Sequence, residues 1–350
     1  MIRYRFATNE DNQQLIAVTA SSGMAGETAL RIDRNPDFFE LLALRGETRV
    51  FVALDDDTII GCLCVSLQPV YVSGEVHTLQ YIGDFKVAKA YRNKGIGLQL
   101  CDEMANYVVS AGSDLAFLNV SKGNSKPLTF FKNRPGIPDF ENIGLFHIHQ
   151  FIGRKKKALH QLYKIEEAPV TDKLIKFLNA FYCRYELGPV IKKETLKDSS
   201  VFIVRQEENI IAAMCLVDTM RVKQNVVMKI PWKMKLLIRT MNMLTPITGF
   251  SKMPQLQEPV RMMYIKYLAV NDNNKALVRS LVDHARNIVY DSGYSFASIG
   301  LHEKDPLHDS FRGLFKVTFK SMGMLVSIKN TRGLIEKIKQ GIPFEDYSLV

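Results

Sequence analysis

The stretch "GDFKVAKAYRNKGIGLQLCDEMANYVVSAG", residues 83–112, decides how this chain is read. Its second half carries a helical signature. Cys101, Met104, Ala105 and Val108 recur at i, i+3, i+4 and i+7 and form one apolar stripe. Gly112 stands where a glycine ends a helix in the left-handed conformation. Upstream, Leu79-Gln80-Tyr81-Ile82 and Phe85-Lys86-Val87 are rich in aromatic and β-branched residues and predict a strand. Gly95 and Gly97 therefore sit in a strand-to-helix turn, together with Arg92, Asn93, Lys94 and Ile96. At such a turn the first N–H groups of the helix lack partners, and the helix dipole presents partial positive charge. Glycine removes the Cβ that would keep a ligand from the backbone. Arg92 and Lys94 add full charge beside it. These are the parts of an anion site suited to a phosphate or pyrophosphate.

Two phosphate-loop patterns are excluded. The chain has no G-x-x-x-x-G-K-[ST], and Leu100 occupies the third glycine position of G-x-G-x-x-G. What remains, R-x-x-G-x-G after a strand ending in Val87, resembles the acyl-CoA-binding motif of the Gcn5-related N-acetyltransferase (GNAT) superfamily. The resemblance implies that the loop amides of Arg92 to Gly97 hold the CoA pyrophosphate. It also implies that the backbone around Phe85 and Val87 pairs with the pantetheine arm, a Val87 amide polarising the thioester. Downstream, "DLAFLNVSKGNSKPLTFFKNRPG" predicts a strand over Leu115 to Val120 and a short helix opened by Asn124 and Ser125. The family pattern N-x-x-A-x-x-x-Y falls on Asn124, Pro127 and Phe131. The asparagine is kept, but Phe131 replaces the tyrosine that serves the family as general acid for the departing thiolate.

The implied reaction is acetyl transfer from acetyl-CoA, as cosubstrate, to a primary amine by direct attack in a ternary complex. An alkyl amine has a pKa near 10 and arrives protonated, so a base or a water relay is required. A thiol near 8.5 leaves as thiolate without much help. Asp84 is the only carboxylate between Glu75 and the loop, three residues before Val87, and is the first candidate base. Tyr81 and His77 share a face by strand alternation and offer a relay. His147 and His149 alternate on one face of "LFHIHQF"; two histidines with no third ligand nearby in sequence read as an edge-strand face, so no metal is expected.

Composition fits a protein with full cores: 350 residues, 47% hydrophobic, 23% charged and a net charge of +10. The uncharged run from Thr58 to Gly74 contains Pro69 and is short of the roughly 20 apolar residues of a membrane span. "MIRYRFATNEDN" lacks an apolar signal core, and the five cysteines form no C-x-x-C, so a reducing cytoplasm is the expected location.

The chain repeats itself. "VFVALDDDTIIGCLCV" (50–65) and "VFIVRQEENIIAAMCL" (201–216) are both strand, acidic turn, strand, and share Val50/Val201, Phe51/Phe202, Ile59/Ile210, Ile60/Ile211 and Cys64/Cys215. "YIGDFKV" is echoed by "YIKYLAV" (264–270), followed by a second helix with Leu277, Leu281, Ala285 and Ile288 on one face and Gly293 at its end. A repeat of this length predicts a duplicated domain. The expected fold is α/β (α+β): two tandem GNAT-like domains, each a mixed, mostly antiparallel twisted sheet flanked by helices. Residues 1–155 form the acyl-CoA domain and 156–350 a degenerate copy, because "NDNNKALVRS" (271–280) lacks the glycine turn.

The spacing between the copies grows before residue 264, which places an insertion near 220–258. No acid lies between Asp218 and Glu258, whereas Arg221, Lys223, Lys229, Lys233, Lys235, Arg239 and Lys252 do. From Pro231 the pattern is helical, with Met234, Leu237, Ile238, Met241 and Leu244 on one arc, expected to pack on the protein. Two other classes of function stay open: a catalytically silent CoA-binding regulator, and an interaction module that docks anionic membrane or nucleic acid through this basic segment.

Overall fold

The computed structural model describes residues 1–21, 29–124, 126–155, 163–329 and 332–350. In the first half, the strands Ile2–Phe6, Glu47–Asp55, Thr58–Val72, Glu75–Val87 and Leu115–Ser121 lie side by side in that order. In the second half, Ser199–Gln206, Asn209–Asp218, Met262–Val270 and Phe296–His302 repeat the arrangement. The repeated hairpins 50–65 and 201–216 fold alike. Asp56 and Glu207 each take a left-handed φ (51° and 54°) in their acidic turns. Glu75–Val87 with Leu115–Ser121 and Met262–Val270 with Phe296–His302 are the parallel pairs; the other strand pairs among the described residues are antiparallel.

The halves share one sheet because their last strands are exchanged. Lys316–Ser327, from the second half, pairs with Leu115–Ser121 of the first. Glu141–Ile152, from the first half, pairs with Phe296–His302 of the second. The two exchanged strands also pair with each other over most of their length. Residues 156–162 lie outside the described residues, so we keep 1–155 and 156–350 as proposed units of sequence, joined by a continuous sheet.

Each half covers a sheet face with the helix its periodicity predicts. Ile96–Ser110 buries Leu100, Cys101, Met104, Ala105 and Val108, and Lys275–Asp291 buries Leu277, Leu281 and Ala285, with Ile288 partly covered. At about 1.5–3 kcal/mol for each fully buried large aliphatic side chain, these stripes hold the helices in place. Four cysteines (Cys62, Cys64, Cys101 and Cys215) are buried free thiols, and Cys183 is partly covered.

The basic insertion does two things. Gln224–Lys229 pairs with Ala29–Asp33 as a separate two-stranded sheet, which ties the insertion to the first half. Trp232–Thr248 is the expected helix, but its apolar arc is not covered as expected. Ile238 and Thr245 are its buried residues, with Met241 packed partly beside Ile238. Met234, Leu236, Leu237, Met243 and Leu244 face water, Trp232 is 72% exposed and Ile247 84%. The helix touches the body along one narrow line, too narrow to cover an arc of five residues.

Candidate functional site

The site begins where two parallel strands part. Glu75–Val87 and Leu115–Ser121 stay in register only from Leu79↔Leu115 to Ile82↔Leu118. Beyond that, Gly83–Val87 and Asn119–Ser121 diverge. On its other side the first strand is bulged: Gly83 pairs with Cys64 and Lys86 with Cys62, so Asp84 and Phe85 together oppose Leu63. Asp84 absorbs the extra residue with φ +49°, and Cys62 Sγ donates to its carbonyl at 3.3 Å. The Ala88 N–H reaches Ile60 O at 2.8 Å on the paired side. Ladder alternation therefore aims the Val87 N–H at the open edge.

The cleft opens into a cavity of about 240 Å³ lined by Arg34, Arg45, Tyr81, Asp84, Asn119 and Phe131, among others. Asp84 Oδ2 lies 2.7 Å from Arg34 Nη2, so a buried arginine is a partner of the carboxylate. Tyr81 lies 3.5 Å beneath the Arg45 guanidinium, and burial raises its phenol well above the ordinary range, so it stays protonated. Arg45 pairs at 3.0 Å with Glu345, whose carboxyl burial pushes up to about 7 against the pull of Arg45. Burial brings Lys223 down to about 7; its Nζ donates to the carbonyls of Tyr347, Ser348 and Val350 at 3.2, 2.9 and 2.9 Å. Those bonds hold the last residues over the cavity, where Leu349 and Val350 form part of its wall. Phe131 is buried against Phe85 and Phe140 at ring distances of 5.8 Å. Asn124 lines the same cavity, while Ser125 lies outside the described residues.

At the helix mouth the two glycines have different tasks. Gly95 is the N-cap, exposed, with φ +81°, and a Cβ added there would have nothing within 4 Å. Among the described residues no side chain caps this helix, so its first-turn amides are free to take a ligand. Gly97 is buried; a Cβ there would lie 3.0 Å from both Phe85 Cζ and Phe130 Cε1. It makes room for two aromatic rings, whereas the sequence had suggested an open approach for a ligand. Arg92 is exposed and donates from Nε to Val87 O at 3.1 Å; Asn93 holds φ +63°, and the Lys94 ammonium sits 5.1 Å above the Tyr91 ring.

The second half has the same splay but no room in it. Met262–Val270 and Phe296–His302 stay paired only from Met262↔Phe296 to Tyr264↔Ser298. Tyr182, Tyr267 and Phe344 pack together there, and the Tyr182 hydroxyl accepts from Leu268 N at 2.8 Å, taking up an edge amide. The space left is about 10 Å³. At the matching helix mouth, Asn274 Oδ1 accepts from Ala276 N and Leu277 N at 3.1 and 3.2 Å. Those amides are spoken for.

Other sequence expectations are corrected. His77 stands 3.7 Å from Asp114 and does not line the cavity that Tyr81 lines. His147 and His149 do acquire a third histidine, His308, with ligand atoms within 4.8 Å of one another. The strand-to-turn packing that brings it there is invisible in a local pattern. His149 lies 2.9 Å from Thr318 Oγ1 and 3.0 Å from His308 Nδ1, and His308 Nε2 donates to His302 O at 2.9 Å. His149 and His308 are thus joined by a hydrogen bond, the His147 ring lies 5.2 Å from that of His308, and the charges bearing on the trio are mixed, Lys316 and Lys320 against Glu303 and Asp309. Sequence reasoning missed Arg34, Arg45, Asn119 and Lys223. A polar Asn119 inside the apolar "LAFLNVS" was the one available signal.

A splayed parallel pair, a bulge at the point of divergence and an uncapped helix mouth lie together in the first half of the chain. Residues 16–134, about a third of the chain, match the model of the acetyltransferase (GNAT) family. Among solved structures, the chain is similar to a GCN5-related N-acetyltransferase from Anabaena variabilis, with 10% identity over 94% of this chain and 73% of that one and a TM-score of 0.55. It is also similar to Saccharomyces cerevisiae N-myristoyltransferase with bound myristoyl-CoA (10% identity, 93% and 82% covered, TM-score 0.61). A third is a probable N-acyltransferase of Enterococcus faecalis (11% identity, 94% and 73% covered, TM-score 0.53). At such identities the likeness concerns the fold. No curated protein matches the sequence.

Proposed function

We propose that the chain transfers an acetyl group from acetyl-CoA to a primary amine. The observation that carries this is the pairing of an open strand edge at Gly83–Val87 with a free helix mouth at Ile96, both in the first half. The first-turn amides, Arg92 and Lys94 receive the pyrophosphate, and the edge at Phe85 and Val87 receives the pantetheine arm. The Val87 N–H stabilises negative charge developing on the thioester oxygen. The amine nitrogen bonds to the carbonyl carbon, the C–S bond breaks, and the thiolate takes a proton. Asp84 or a water beside it accepts the proton that the ammonium must lose. Tyr81, kept protonated, acts as a hydrogen-bond donor in the cavity. Acetyl is the favoured group because about 240 Å³ is below the roughly 300–1,000 Å³ of pockets for larger ligands. The test is thiol release from acetyl-, hexanoyl- and myristoyl-CoA with a panel of amines. Turnover with the long chains alone overturns the acetyl assignment; binding without release for every amine favours a silent regulator.

A second reading rests on the exposed side of Trp232–Thr248. Its apolar residues stand beside Lys229, Lys233, Lys235 and Arg239, and among the described residues no helix is long and apolar enough to cross a membrane. Such a helix fits an anionic lipid surface, lying in the headgroup plane. Co-sedimentation with phosphatidylserine vesicles should be lost in Trp232→Ser/Ile247→Ser. Equal binding to neutral vesicles, or salt-sensitive capture by RNA alone, rejects it.

A further inference from the structure

The cavity beside Asp84 contains hydrogen-bond donors that the protein leaves without acceptors. Arg34 is 4% exposed. Its Nη2 is engaged by Asp84 and its guanidinium lies 5.3 Å from the Phe38 ring centre, yet among the described residues Nε and Nη1 have no partner. Asn119, on the diverging strand, uses Oδ1 to accept from the Tyr347 hydroxyl at 3.1 Å, while its buried Nδ2 lies toward the Tyr81 hydroxyl and makes no well-formed hydrogen bond among the described residues. Both residues line the same cavity. Buried donors are nearly always satisfied, so unsatisfied donors on two residues of one cavity call for a ligand that brings acceptors.

We infer that the acceptor carries a carboxylate, held by Arg34 Nε or Nη1 and by Asn119 Nδ2, so that the substrate is a small aminocarboxylate. This rests on the acyl-transfer reading of the same site. A planar carboxylate matches a guanidinium edge in geometry as well as in charge. The neighbouring Arg34 and Asp84 present opposite charges, one toward the carboxylate and one toward the ammonium group of a zwitterion. A polyamine or an uncharged amine would leave the donors of Arg34 and Asn119 unpaired, and a site built to hydrogen-bond one group rejects analogues that lack it.

The experiment is calorimetry on the intact protein saturated with CoA. Glycine, β-alanine and γ-aminobutyrate are each compared with their carboxamides, and with ethylamine and propylamine. At least one aminocarboxylate should bind tenfold or more tightly than its carboxamide. Arg34→Gln should erase that preference. Asn119→Asp, which keeps the Oδ1 acceptor and the side-chain size but turns the donor into an oxyanion, should erase it as well. Thermal melting confirms that both variants are folded, and Asn119→Asp decides the matter if Arg34→Gln is not. Equal binding of carboxamides or alkylamines, no binding of any aminocarboxylate, or a preference that survives Asn119→Asp overturns the inference. Thiol release with the same compounds separates the two claims. Uncharged amines turning over while aminocarboxylates do not would sink the carboxylate subsite alone. Selective aminocarboxylate binding without release from any amine would keep the subsite and sink the acyl-transfer reading.

Discussion

Adding a single methyl group at Gly97 or at Gly95 separates the two tasks that glycine performs at the helix mouth. In Gly97→Ala the new Cβ meets Phe85 Cζ and Phe130 Cε1 at 3.0 Å, closer than van der Waals contact. Both rings are held edge-on to each other at 5.2 Å, and Phe85 also meets Phe131 edge-on at 5.8 Å, so neither can step aside freely. Overpacking of this kind costs about 1–3 kcal/mol. It also pushes on the bulged edge where Phe85 belongs to the backbone, and we expect acetyl-CoA affinity to fall about tenfold, roughly 1.4 kcal/mol. In Gly95→Ala nothing lies within 4 Å, and the whole cost is the left-handed φ of +81°, about 1–2 kcal/mol. Asn274→Ala is the control: it removes the cap of the second helix at a cost of about 1 kcal/mol and should leave cofactor binding untouched. Guanidinium unfolding gives the stabilities and titration calorimetry the affinities. Gly97→Ala with unchanged stability would show that the rings have room. Unchanged affinity in both loop variants, or a loss in Asn274→Ala, would refute the assignment of the pyrophosphate to the first helix mouth.

Binding stoichiometry should be one acetyl-CoA per chain, because aromatic side chains fill the second cleft and Asn274 caps its helix; two equivalent sites in calorimetry would contradict this. Phe131→Tyr should raise the rate of thiol release by less than the roughly 10²–10⁴-fold of a general acid, since thiolate leaves nearly unaided; loss of cofactor binding instead would mark Phe131 as packing alone. Burial, followed by His308 and Lys316, holds His149 down at about 3, against 6.5 in the open chain. A lowered folded value means that the unfolded chain binds the extra proton between these limits. The contribution to stability is therefore full above pH 6.5 and is lost as pH falls toward 3. His149→Gln should flatten the acid limb of a stability–pH curve over that window, and an unaltered limb would rule the histidine out as its source.

Much of the architecture was legible because it is written in local periodicity. The stripe Cys101-Met104-Ala105-Val108 and the alternation of the 50–65 and 201–216 hairpins each name their element and buried face. The contents of the cavity did not follow. Arg34 reaches Asp84 across fifty residues of chain, Asn119 meets Tyr347 from the far end, and Lys223 is drawn out of a basic segment to hold backbone carbonyls. Such contacts depend on which strand ends meet, and no spacing along the sequence encodes that. The helix from Trp232 failed in the other direction: its period was correct, but periodicity states which residues are apolar and not whether anything covers them.

The exchange of last strands has a consequence for how the protein is made. Leu115–Ser121 carries half of the cleft, yet one of its two neighbours, Lys316–Ser327, is synthesised some two hundred residues later. A ribosome-bound chain that has emerged through Ile152 therefore holds an unfinished sheet with open edges, the kind of surface that recruits other strands. The first half, although it contains every residue proposed to hold acetyl-CoA, has to wait for Lys316–Ser327 to emerge before its cleft is braced. Nascent chains of this protein should accordingly be clients of holding chaperones, and the cofactor should find its site only after release.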